Sequence, residues 1–265
     1  MKIGIVTYHR SRNYGALLQA YALQTFLRNN EHEAYLVDYW PDYHKNMYAF
    51  FSKEKFKKNS LRSNVKYIYI LATTWVRHIV RKKNTETFVN NYLYLDSTFE
   101  YDVAVYGSDQ IWRKQNYPDD KKYNPVYFAD NTVTAKKKIS YAGSMGVIEV
   151  KTDEDTQFLK NSWSNFDVIS VREKNLQDLV NNICGYSPIH VLDPVFLLTK
   201  EQWLQVISDK YYTKPKKKYI VYYRLQDLKQ ADQMVTKLAK EKNLEVLEFS
   251  GDLRPLKYGS RYKET

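Results

Sequence analysis

The chain opens on an apolar run, Lys2 to Thr7. A polar stretch follows, and then Ala16, Ala20, Leu23 and Leu27 recur at the spacing of one helix face. A second short apolar run, Glu33 to Tyr39, closes at Trp40-Pro41. Strand, loop, helix and strand in that order form a βαβ unit, which predicts parallel strands joined by a right-handed crossover. Three more strands are predicted at Asp102–Tyr106, Lys138–Ala142 and Asp167–Val171, each ending in a polar loop, and another at His190–Leu192. Helical periodicity marks Asp153–Ser164 and Glu173–Asn182 between them.

Two segments depart from this alternation. Residues 42–91 are helical and basic, with Leu61, Val65, Ile68, Ala72, Trp75 and Ile79 on one face, and read as an insertion. That face either packs on the sheet or, flanked by Lys66, Arg77, Arg81, Lys82 and Lys83, docks at an anionic membrane surface. After a charged connector, Lys200–Lys217, the pattern resumes with a strand at Tyr219–Tyr223, a helix at Asp227–Asn243 and a strand at Glu245–Phe249. The prediction is an α/β protein. Residues 1–198 form a Rossmann-like domain with a parallel sheet, and residues 199–265 a linker and the beginning of a second Rossmann-like domain. A single βαβ unit leaves a parallel pair uncovered, so Val221, Leu238, Val246 and Phe249 are expected to line an exposed apolar patch.

Composition narrows the class. With 43% hydrophobic and 15% aromatic residues, the 265-residue chain has enough apolar side chain for a core and is not a disordered polymer. Its one cysteine, Cys184, rules out an intramolecular disulfide and fits a reducing compartment. The N-terminal apolar run is too short for a signal peptide. The longest apolar stretch, Tyr67–Val80, contains Arg77 and His78 and falls short of the about 18 residues a spanning helix needs. The expected location is cytoplasmic, with peripheral contact at the inner membrane face through the basic helix. Lysine and arginine exceed aspartate and glutamate by 41 to 30, a net charge of +11 that favours anionic partners without choosing among them. No recognised nucleic-acid motif is present, and nucleic acid is not an expected partner.

Ligands of open α/β sheets bind beyond the carboxyl ends of the strands, so the loops there are the candidate site. After the first strand, Asn13 can cap the helix and Gly15 lets a ligand approach its positive end, with His9 nearby in sequence. The third strand leads into Gly107-Ser108-Asp109-Gln110-Ile111-Trp112, a hydroxyl, carboxylate, amide and indole in one turn. Asp109 reads as a helix cap or a ligand carboxylate, and Trp112 as core or as a platform for a sugar ring. Gly143-Ser144-Met145-Gly146 is a tight turn or a close backbone approach to phosphate. Arg172-Glu173 is an ion pair or an anion fork beside a helix start. P-loop, dinucleotide, nucleophile-elbow and metal-ligand spacings are absent.

Five motifs, in order, carry a resemblance: Asn13-Tyr14-Gly15-Ala16-Leu17-Leu18-Gln19-Ala20-Tyr21-Ala22-Leu23, Gly107 to Trp112, Tyr141-Ala142-Gly143-Ser144-Met145-Gly146, Ser170-Val171-Arg172-Glu173 and Leu192-Asp193-Pro194. Through them the chain resembles the polysaccharide pyruvyl transferase family. The resemblance implies a GT-B-like pair of Rossmann-like domains and transfer of pyruvate from phosphoenolpyruvate onto sugar hydroxyls as a ketal. The acceptor would be a free or lipid-linked sugar of a cell-surface or capsular polysaccharide. It implies acid/base and cationic groups, and neither a metal nor a further cofactor. Arg172 would hold the donor's phosphate or carboxylate, Asp109 and Gln110 would hold or deprotonate the sugar hydroxyls, and His9 would assist. Asn13, Gly15, Ser108, Trp112, Ser144, Gly146 and Glu173 would line the substrate site. The family's Ser-x-His-Gly-like segment does not occur in the 265 residues, so the chain alone is expected not to transfer pyruvate. Two other readings stay open: a GT-B-like glycosyltransferase using a nucleotide sugar, and a non-enzymatic basic module for anionic membrane or nucleic acid.

Overall fold

The computed structural model describes residues 1–51, 53–58, 60–116, 121–206, 217–226 and 228–250. Most of the charged connector (207–216) and the first residue of the helix read at Asp227 lie outside them. The chain begins β1 (Lys2–Val6), α1 (Tyr14–Asn29), β2 (Glu33–Val37), α2 (Asp42–Met47), α3 (Lys53–Lys58) and α4 (Leu61–Tyr92). It continues β3 (Leu95–Asp96), β4 (Glu100–Tyr106), β5 (Gln115–Asn116), β6 (Lys121–Lys122), β7 (Thr134–Ser140), α5 (Asp153–Trp163), β8 (Ser170–Val171), α6 (Lys174–Cys184) and β9 (Ile189–His190). The last elements are α7 (Lys200–Leu204), β10 (Tyr219–Arg224), α8 (Lys229–Glu241) and β11 (Glu245–Ser250).

These divide into two compact units, the first made of Met1–Met47 and Thr87–Trp203, the second of Tyr48–Glu86 and the chain from Leu204 onward. In the first unit five parallel strands lie in the order β3-β2-β1-β4-β7, with Ile3 opposite both Ala34 and Val103 and Val105 opposite Ile139. The β8–β9 pair abuts the last strand through parallel bridges Ile139–Val168 and Gly143–Val171. Strand order therefore runs one way from β1 through β2 and the other way through β4. The reversal point, where such sheets bind ligands, lies between β1 and β4.

The core follows from the apolar strands that a parallel sheet requires when both faces are covered. Ile5, Ala20, Leu23, Leu36 and Val89 form one cluster, and Tyr106, Trp112, Phe128, Trp163 and Val171 belong to the other. Each fully buried aliphatic side chain among them contributes about 1.5–3 kcal/mol. The predicted α1 face is the buried one at Ala16, Ala20 and Leu23, and the helix starts at Tyr14 because Asn13 caps it, accepting from Gly15 N at 2.9 Å.

The sequence reading placed β7 at Lys138–Ala142, but the strand is Thr134–Ser140. Lysines at 136–138 hid its start. Lys136 Nζ pairs with Asp102 at 2.7 Å, and Lys138 Nζ donates to the carbonyls of Ala129 and Asp130, so their charges are met at the sheet's edge. The strand read at Asp167–Val171 shrinks to two residues, where Ser140 and Ser170 exchange side-chain and backbone hydrogen bonds at 2.8–2.9 Å. Burial of the 61–80 stripe is also overturned: Leu61 is 84% exposed, Val65 64% and Trp75 52%.

In the second unit β10 and β11 pair in parallel, with Val221 opposite Leu247. Arg224 Nε meets Glu248 Oε1 at 2.6 Å with both side chains buried, and Tyr222 donates to Asp232 of α8. Of the expected apolar patch, Val221, Leu238 and Phe249 are exposed and Val246 is half-buried.

Candidate functional site

Gln19, buried on α1, organises the strand ends. Its amide donates to Thr7 Oγ1 and to Ala16 O, and its carbonyl oxygen accepts from both the backbone N and the hydroxyl of Ser108 at 3.2 and 3.0 Å. The loop after β4 is thus held against the loop after β1 by one side chain, which no residue lacking both a donor and an acceptor replaces. Gly107 sits at φ +144°, where a Cβ would overlap the Tyr141 carbonyl oxygen, so only glycine fits there.

Beside it the ends of β4, β7 and β8 bring together Asp109, Ser144, Arg172 and Glu173, joined by Asp193. The Arg172 guanidinium donates from Nε to Glu173 Oε1 at 2.9 Å, from Nη1 to Asp193 Oδ2 at 2.8 Å and from Nη2 to Ser144 Oγ at 3.0 Å. Ser144 in turn donates to Glu173 Oε1 at 2.7 Å and accepts from Gly146 N. Asp193 also caps the turn after β9, accepting from Val195 N at 3.0 Å. Glu173 Oε2 is buried with no hydrogen-bond partner among the described residues. An unsatisfied buried carboxylate oxygen is costly and calls for a donor.

Asp109 accepts from Gln110 N at 2.7 Å. Burial lifts its carboxyl above the ordinary range, and the charges of Asp193 and Glu173 push the same way, against the Gln110 N–H and the Arg172 charge. The cluster thus sets three carboxyl groups, Asp109, Glu173 and Asp193, against one guanidinium. For Arg172, burial pulls the pKa down, but hydrogen bonds to Glu173 and Asp193 outweigh it and the net direction is up. Gln110 lies over Gly146, whose φ is +65° and where a Cβ would press into the Gln110 amide.

A second cluster forms at the ends of β1 and β2. His9 is buried, its Nδ1 facing Thr7 O at 3.0 Å and its Nε2 facing Asp38 Oδ1 at 3.2 Å. Arg10 grips the same carboxylate with two bonds, Nε to Oδ1 at 2.7 Å and Nη2 to Oδ2 at 2.8 Å. Hydrogen bonds from His9 and then Arg10 hold Asp38 well below the usual carboxylate range. His44, whose ring lies tilted against Tyr8 at 4.6 Å, is pushed down to about 4 by burial and by the charge of His9.

The sequence-predicted residues therefore part into groups. Asp109, Gln110, Ser144, Gly146, Arg172 and Glu173 share one cluster, with Ser108 anchoring its loop, and no hydrogen bond connects His9 to them among the described residues. Asn13 and Gly15 form the exposed cap of α1. Trp112 is corrected: it is fully buried, its Nε1 donates to Tyr127 O at 2.8 Å and its ring packs on Phe128, Trp163 and Phe166, so it offers no face to a sugar. Trp112→Phe, which leaves that carbonyl unpaired and a small void, is expected to cost about 1–2 kcal/mol in denaturant unfolding. Arg172 lies inside this network, with three of its five N–H groups donating to Glu173, Asp193 and Ser144. Asp38 and Arg10 were missed, and Asp193 and Gln19 were quoted within motifs but given no site role. Asp-Pro after a strand and the polar Gln19 on an apolar helix face were the available signals.

The family model described as polysaccharide pyruvyl transferase matches residues 13–260. That span contains every motif from Asn13 to Pro194, extends into the second unit and begins after His9 and Arg10. Among solved structures the chain is similar to the glycosyltransferase SsfS6 of Streptomyces sp. SF2575, crystallised in complex with thymidine diphosphate. Identity is 10%, coverage is 98% of this chain and 71% of that one, and the TM-score is 0.37. No curated protein matches the chain.

Proposed function

The chain belongs to the polysaccharide pyruvyl transferase family, and from that premise we propose that it moves pyruvate from phosphoenolpyruvate onto a pair of sugar hydroxyls of a cell-surface or capsular polysaccharide. The acidic cluster around Arg172 is, in this reading, where those hydroxyls bind. The observation that carries it is Asp109, a carboxyl raised by burial beside Glu173 and Asp193, at the carboxyl end of β4.

Ketal formation needs a proton on the donor's methylene carbon and removal of protons from two attacking hydroxyls. One hydroxyl proton replaces the one given to carbon and the other leaves with phosphate, so the balance closes without a redox partner. A carboxyl of raised pKa suits both halves of that exchange. Glu173 Oε2 supplies the acceptor that a sugar hydroxyl would satisfy. Arg172 acts as a positioning residue, holding Glu173, Asp193 and Ser144 in register. Three carboxyl groups to one guanidinium is a poor setting for the donor's phosphate, whose cationic partners lie outside this cluster.

The experiment offers phosphoenolpyruvate or nucleotide sugars with galactose-, mannose- and N-acetylmannosamine-bearing acceptors and reads the products by mass spectrometry. It is run on the 265-residue chain and on that chain with whatever coding sequence follows codon 265. A pyruvyl ketal formed only from phosphoenolpyruvate supports the reading. Glycosyl transfer from a nucleotide sugar without ketal formation overturns it.

A further inference from the structure

Helix α4 is built inside out. At helical spacing, Leu61, Val65, Ile68, Trp75, Val76 and Ile79 share one face, and every one is more than half exposed. The opposite face buries Thr74, Arg81 and Thr85. An amphipathic helix that only packs on its own protein buries the apolar stripe instead. A contiguous apolar surface of this kind marks an interaction site.

Charge decides among the occupants. Along α4 the basic side chains are Arg62, Lys66, Arg77, Arg81, Lys82 and Lys83, against the single acid Glu86, which pairs with Lys82 at 3.7 Å. Arg62, Lys66, Lys82 and Lys83 are exposed and border the stripe. A second copy laid along this face would set lysines and arginines against their own kind, without the opposite charges that flank paired helices. Anionic phospholipid meets both features at once: the apolar side chains enter the headgroup boundary and the basic rim holds the phosphates. We propose that the outward face of α4 docks the chain on an anionic bilayer surface. The helix lies on the membrane and does not cross it, since no helix among the described residues is long and apolar enough to span one.

The probe is a pair of vesicle preparations, phosphatidylcholine alone and phosphatidylcholine with phosphatidylglycerol, co-sedimented with the 265-residue chain. The expected result is association with the anionic vesicles that weakens as salt rises, and little with the neutral ones. Reversing two rim charges, Lys66→Glu with Lys83→Glu, is expected to lower association roughly tenfold or more, since each basic side chain near such a surface is worth about a fivefold factor. Trp75→Ser with Ile79→Ser is expected to abolish it. These positions are exposed, and an unchanged circular dichroism spectrum checks that the fold survives. Equal association with both vesicles, or none with either, overturns the proposal. A dimer in sedimentation velocity that the double serine variant dissolves, without vesicle association, makes a second copy the occupant. Vesicle binding is read without turnover, so this outcome is separate from that of the pyruvyl-transfer reading.

Discussion

Asp109→Asn is expected to lower acceptor-dependent phosphate release from phosphoenolpyruvate by about 100- to 10,000-fold, the usual contribution of a positioned acid or base. The same substitution is expected to leave stability at pH 7 unchanged or higher. Burial raises the carboxyl in the folded state, so the folded chain holds that proton more tightly than the unfolded one. Its contribution is complete below the unfolded carboxylate pKa and is lost as pH rises through the folded value. At neutral pH the ionised group is a burden that asparagine removes while keeping an oxygen for the Gln110 N–H. Thermal melts between pH 4 and pH 8 check this: the wild type should lose ground to the variant as pH rises. A variant with wild-type turnover, or one destabilised at neutral pH, would return Asp109 to a capping role.

Arg172→Met is the second large effect. The guanidinium is three-quarters buried and carries charged bonds to Glu173 and Asp193. Removing one side of such a network strands the carboxylates in a partly desolvated place, which costs about 3 kcal/mol. Unfolding temperature should fall by roughly 6–12 °C, at the about 2–4 °C per kcal/mol usual for a domain of this size. Arg172→Lys restores the charge but not the fork, and is expected to recover only part of the loss. The discriminating readout is kinetic: a positioning residue raises the acceptor KM and lowers kcat while leaving phosphoenolpyruvate affinity within about twofold.

Much of the first unit was legible because its physics is local. A buried parallel strand must be apolar, a helix must be capped, and so β1, α1 and β2 appear in the sequence nearly at their true bounds. The strand β7 was misplaced because its lysines find partners that only the tertiary structure supplies, Asp102 for Lys136 and the Ala129 and Asp130 carbonyls for Lys138. Trp112 was misassigned for a related reason: an indole beside a carboxylate and an amide looks the same in sequence whether its ring faces a ligand or Phe128 and Trp163.

The candidate site was legible as a set of loops and not as a network. Asp109, Ser144, Arg172 and Glu173 were each found from strand-end chemistry, yet Asp193, which takes one arm of the guanidinium, lies 21 residues beyond Arg172 and meets it only through the β8–β9 pairing. Without it, Arg172-Glu173 read equally as an ion pair or as an anion fork. Helix α4 is the opposite case: its periodicity was legible, but the sequence left open whether the apolar face packs on the sheet or stays outside, and only the structure shows it exposed.

Glu173→Gln separates the two assignments of this cluster most directly. The variant weakens the Arg172 pair and places an amide at the unpartnered Oε2 position, while Asp109 is untouched. Steady-state phosphate release is measured with phosphoenolpyruvate and acceptor varied in turn. If the cluster binds sugar hydroxyls, the acceptor KM rises about tenfold or more, as expected when a charged hydrogen-bond acceptor is lost, and the phosphoenolpyruvate KM stays within about twofold. A raised phosphoenolpyruvate KM with an unchanged acceptor KM would place the donor, not the sugar, at Arg172 and contradict the account.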